Sequence, residues 1–222
     1  LMIRALLLSL CFAASSFAAD VGARLARHKW HPHKYFCTNA QAISGEEVFN
    51  TEVFGECGML THQNFSGQQL QNQNLAGAYL AWSNFENADL DGADLRGALF
   101  LNTHLLNANF TRALMDEARF GDAQAEGAVF AGASLKKTLF MDAELKGANF
   151  QDADLTGASF FLARGANVDF RGANLQGAVL SPSGLKDIQV RGATYNKDTV
   201  LPFDGEEAAD RGMIFVPGSY WP

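Results

Sequence analysis

Ala88-Asp89-Leu90-Asp91-Gly92-Ala93-Asp94-Leu95-Arg96-Gly97-Ala98-Leu99-Phe100 repeats a single pattern every five residues. The same beat extends on both sides. From Leu60 through Phe65, Leu70, Leu75, Leu80 and Phe85, and on from Leu105 to Val200, each fifth position is apolar or small, and most are Leu or Phe. A strict short period means that one small unit is stacked on itself.

A period of five suits neither common element. Five steps around an α-helix advance the side chain by about 140° beyond a full turn, which scatters the Leu/Phe set over every face. On a straight strand, residues five apart point to opposite sides. An inward residue every five positions therefore requires a corner in each repeat. A small residue sits two places before the large one, as at Ala88, Ala93, Ala98, Ala108, Ala113, Ala128 and Ala148. Extended backbone turns both members of this pair inward. Gly often precedes the Ala (Gly92, Gly97, Gly127, Gly147), where a corner calls for unusual φ. The expectation is a solenoid with large apolar residues at its axis and polar ones outside.

Repeats such as Ala88-Asp89-Leu90-Asp91-Gly92 and Ala153-Asp154-Leu155-Thr156-Gly157 closely resemble the pentapeptide-repeat family, whose pattern is A-(D/N)-L-x-x. The resemblance covers roughly two thirds of the chain, in phase. It implies an all-β fold, a right-handed quadrilateral β-helix with four repeats per coil. About seven such coils at strand spacing would make a rod of roughly 34 Å. The segment from Tyr195 to Met213 looks like the closing segment of such rods, and an open coil end, being a sheet edge, calls for a cap.

Four repeats per coil sort the central residues into four columns. Phe100, Phe120, Phe140 and Phe160 stand in the first and Phe110, Phe130, Phe150 and Phe170 in the opposite, second one. Met115 and Leu135 mark the third, and Leu105, Ala125, Leu145 and Gly165 the fourth. The two Phe ladders form the expected core. The small Ala125 and Gly165 predict a void, bulge or loosened turn in the fourth column. The position before each central residue is often Asp or Asn, but on the first face it is Tyr79, Leu99, Arg119, Leu139, Ser159 and Val179. With Leu101, Met141, Phe161, Trp82 and Leu162 just beyond, this makes an apolar stripe, the mark of a contact surface. The stripe could be covered by the flanking segments of the chain, by a second copy as a homodimer, or by a separate protein partner.

The start of the chain reads as an export signal over residues 1–18. Arg4 precedes an apolar run, and Ser16-Phe17-Ala18 offers small residues for cleavage. The run is too short to span a membrane. Secretion across the inner membrane, to a periplasmic or extracellular location, is the expectation. Residues 19–58 then form an N-terminal extension or cap, 59–200 the β-helix and 201–222 a C-terminal cap or tail. In an oxidising compartment Cys37 and Cys57, twenty residues apart, would pair as a disulfide. The net charge of −7 argues against nucleic-acid binding.

Catalytic signatures are missing from the sequence. It has no nucleophile elbow, phosphate loop or HExxH motif, its carboxylates are spread by the repeat, and a filled axis leaves no pocket. No catalytic residue, cofactor or metal is expected. His28, His31 and His33 lie among Arg27, Lys29 and Lys34, and read as a basic linker rather than a metal site. The expected function is a non-catalytic scaffold or interaction module. The alternative is a DNA-mimicking, topoisomerase-binding protein of the gyrase-protecting kind; its acidic balance and rod shape suit that, and its export signal opposes it.

Overall fold

The computed structural model describes residues 60–180 and 184–217. Cys37, Cys57, the proposed signal and the histidine cluster lie outside them. The described chain is a parallel β-helix built from one corner motif. Residues bridge to partners one coil away, and the register is twenty: Asn64 pairs with Asn84, Asp89 with Asn109, Asn74 with Asp94 and Tyr79 with Leu99. The extended pieces are so short that only a few count as strands. These are β1 (Ser159–Phe160), β2 (Gly165–Ala166), β3 (Val179–Leu180), β4 (Leu185–Lys186), β5 (Thr194–Tyr195) and β6 (Ile214–Phe215), paired β1–β3, β2–β4 and β5–β6.

Each corner is a tight turn whose last residue has positive φ. Glycine supplies it at Gly92, Gly97 and Gly127, but fifteen other residues adopt it as well, among them Asn72, Asn87, Asp122, Arg112, Trp82 and Leu162. The Asp or Asn before the central residue has a local job. Its side-chain oxygen accepts the N–H two residues on, as Asn84 does from Glu86 at 2.9 Å, Asn109 from Thr111 at 3.1 Å and Asp154 from Thr156 at 3.1 Å. Leu99, Leu139 and Val179 have no such oxygen, so the first face forgoes these bonds.

Inside, the phenylalanines form two columns. Rings 100, 120, 140 and 160 stack at 4.8, 4.8 and 4.9 Å. Rings 110, 130, 150 and 170 stack at 5.1, 4.7 and 5.2 Å. The columns meet edge to face, at 5.8 Å for Phe120 and Phe130 and 5.4 Å for Phe140 and Phe150. Ring spacing equals strand spacing, so one register satisfies both backbone bonds and ring contacts. Polar intruders at the small position are all bonded: the Ser83 hydroxyl donates to the Leu60 carbonyl and that of Thr138 to the Met115 carbonyl.

Two expectations need correction. At Ala125 there is no bulge: its N–H donates to Glu144 at 2.8 Å, Leu105 donates to Gln124 at 2.7 Å, and the ladder runs unbroken. The backbone departs only at Gly165. It comes so close to the coil below that an added Cβ would lie 2.8 Å from the Leu145 carbonyl carbon. Nor does the five-residue beat hold as far as Val200. Val179 bridges Val200, twenty-one residues on, so the corner after Tyr195 holds one residue too many. Val200 is thereby turned outward, and Leu201 packs on the core instead.

Beyond that slip, a single helical turn and a half, α1 (Gly205–Asp210), follows. Asp204 caps it by accepting from the Glu207 N–H at 2.9 Å, and Glu206 and Glu207 favour its positive end. Ala208 and Met213 are buried against the last coil, and β6 pairs with β5.

Candidate interaction face

The outward ladder of the first face is continuous: Tyr79, Leu99, Arg119, Leu139, Ser159 and Val179 bridge in turn. Backbone bonds from Trp82 to Leu101, Asn102 to Gly121, Asp122 to Met141 and Asp142 to Phe161 put Leu101, Gly121, Met141 and Phe161 on the adjoining corner. The eight residues of the predicted stripe therefore share one side of the rod. Leu101 leans along it: a Cβ on Gly121 would meet Leu101 Cδ2 at 3.1 Å.

Exposure divides the stripe. Met141, Phe161 and Leu162 are 48%, 51% and 43% exposed, and Trp82 is 38% exposed and stacked on His62 at 5.3 Å. Tyr79, Leu101 and Leu139 are half-buried. Leu99 is buried, which corrects its expected role as a contact residue open to a partner. Arg119 is buried too. Burial brings its guanidinium down to about 10, the Glu117 carboxylate pulling the other way. Burial likewise raises the Tyr79 phenol.

The rim is charged. Arg164 lies 4.0 Å from Asp142 and 3.6 Å from Glu144, beside Met141. The second and third faces carry the regular side-chain ladders. There, Arg96 holds the Asp94 carboxyl below the usual carboxylate range; at Asp169 burial acts upward, and bonds from Arg171 and Gln151 prevail and lower it. An apolar strip with a polar rim is the build of a protein contact surface rather than of a catalytic site. Among the described residues no group of three or more His, Cys, Asp or Glu could hold a metal ion, and no helix is long and apolar enough to cross a membrane.

The Pentapeptide repeats family model matches in eight copies, over residues 64–102, 100–132 and 126–160. This segment belongs to the pentapeptide-repeat family. Members of the family form right-handed β-helices and serve in general as interaction modules rather than enzymes. Among solved structures, the chain is similar to trypsin-treated QnrB1, a plasmid-mediated fluoroquinolone resistance protein, with 23% identity over 71% of this chain and 77% of that one (TM-score 0.47). It is also similar to a pentapeptide repeat protein of the Arabidopsis thaliana thylakoid lumen, with 26% identity over 52% and 73% (TM-score 0.29). A third is Rfr23 of the cyanobacterium Cyanothece 51142, with 21% identity over 66% and 86% (TM-score 0.27). No curated protein matches the chain.

Sequence reasoning missed one surface of the pentapeptide rod. An open groove of about 590 Å³ runs along the fourth face, lined by His104, Leu106, Gln124, Glu126 and Lys146 among others. Gly127 and Gly147, at successive corners, leave the space. Their adjacency, visible only in the twenty-residue register, was the available signal.

Proposed function

We propose that this chain is a non-catalytic, exported interaction module that binds a protein partner through the exposed part of its first face. The observation that carries this reading is the placing of Met141, Phe161 and Leu162, three large exposed apolar side chains, side by side where the repeat elsewhere puts polar ones. A stiff ladder holds them in place, so little conformational entropy is lost on binding. In this reading residues 1–18 direct export to the periplasm or beyond, Cys37 and Cys57 pair there, and about seven coils are closed by residues 201–222. The test is capture from the native compartment with the whole chain as bait. Met141→Asp together with Phe161→Asp should abolish crosslinking to the partner and leave the circular dichroism unchanged. Undiminished crosslinking would remove the first face from consideration.

A second reading has one observation in its favour, the acidic balance of −7 on a rod. A DNA-mimicking, topoisomerase-binding protein would use that charge, and QnrB1 carries the description of a fluoroquinolone resistance protein. Cell fractionation separates the readings. A processed chain outside the cytoplasm excludes the topoisomerase role, whereas a cytoplasmic chain that protects gyrase in vitro establishes it.

A further inference from the structure

Four residues on and beside the first face are buried although the β-helix turns them outward. Leu99 is 5% exposed and Arg119 6%, while Leu114, in the equivalent outward position on the third face, is 43% exposed. At the flanking corners Ala76 and Ala81 are buried, whereas Ala131 at the same step of its own repeat is half-buried. Ladder neighbours alone do not produce this, since Leu114 has them as well, in Asp94 and Ser134. Something lies over the N-terminal half of this face, and the chain itself supplies it.

The C-terminal segment is too distant. Gly212 and Ile214 are bonded to Gly192 and Ala193, more than four coils from Leu99, or roughly 20 Å at strand spacing. The stretch before Leu60 is near. It enters the rod at the foot of the first column, and Leu99 stands only two coils further, roughly 10 Å away. Tyr35–Pro222 also make up one compact unit. We infer that residues 35–59 of this chain lie across the first face over Leu99 and Arg119.

Composition supports that occupant. Residues 35–59 contain Tyr35, Phe36, Phe49 and Phe54 for the apolar strip, and Glu46, Glu47, Glu52 and Glu56 with no Lys or Arg at all. The covered area offers the complementary sign: Arg119 at its centre, with Arg96 and Lys136 on the adjoining third face and its corner. Burying a guanidinium is stable only where carboxylates accompany it, and this segment brings four to join Glu117. The segment thus divides the first face. Its N-terminal half is an internal contact, and the half around Met141 and Phe161 stays open.

The test uses the full chain with benzoylphenylalanine in place of Leu99. Irradiation should yield crosslinks within one molecule to residues 35–59, and none from the same probe at Leu114. Crosslinks to a second copy, to residues 201–222, or none at all would overturn the inference. A second measurement guards against a poorly folding variant. In the unaltered chain, phenylglyoxal should modify Arg119 about tenfold more slowly than the exposed Arg112. In Leu99→Asp, with the dichroism unchanged, the two rates should converge. Equal rates in the unaltered chain would also overturn it. Neither readout depends on a partner, so loss of partner capture in the Met141 and Phe161 variant remains a separate result.

Discussion

At the scale of the residue, the corner φ explains an oddity of the first face. Fifteen non-glycine residues take positive φ, and most are Asn, Asp or other polar types that a corner tolerates. Trp82 and Leu162 are the bulky exceptions, with φ of 57° and 59°, and both belong to the apolar stripe. A branched side chain gains nothing locally from that conformation. Leu162→Gly should therefore stabilise the fold, by about 0.5–1 kcal/mol once the extra freedom of the unfolded glycine is counted. Thermal melting should show a rise of roughly 2–3 °C, together with weaker partner capture; a fall in Tm would mean that Leu162 packs for stability. The Leu/Phe beat and the inward Ala were legible in the sequence because burial acts on the side chain directly. The φ at Leu162 was not, since any residue can be driven into a corner by the ladder bonds on either side of it.

At the scale of the element, the fold is a repeated corner held by one coil above and one below. This is why Ala125 proved harmless. Its backbone bonds to Leu145's coil do not depend on side-chain volume, and the fourth face keeps its register. The columns could be sorted from sequence alone, since a twenty-residue coil follows from four corners; the groove beside Ala125 could not, because it depends on how Glu126 and Lys146 splay around two glycines. Gly165 is the sensitive point of that face. A methyl group there would lie 3.0 Å from the Lys146 nitrogen and 3.1 Å from the Leu145 oxygen, both of them backbone atoms that cannot step aside. Gly165→Ala should cost about 1–3 kcal/mol in denaturant unfolding, while Gly147→Ala, with open space around its Cβ, should lose only what its positive φ demands. Equal losses at the two sites would show that φ alone governs them.

At the scale of the whole molecule, each coil touches only its neighbours, so stability is a sum along the rod and its ends are its weak points. Ala208 and Met213 seat α1 and β6 on the final coil. Ala208→Asp would place a carboxylate against that apolar end and lift the segment off. The bared coil edge is then open to pairing with other molecules, and light scattering should report concentration-dependent self-association that the unaltered chain lacks. A monodisperse variant would mean the last coil protects itself. The twenty-one-residue step from Val179 to Val200 bears on the same end. A solenoid is a thread that could be cut to any length, and nothing in a well-formed coil says stop. One surplus residue at a single corner strips the thread, because every later side chain then arrives a step late for its slot at the axis. The rod's length is thus set by a miscount rather than by a barrier.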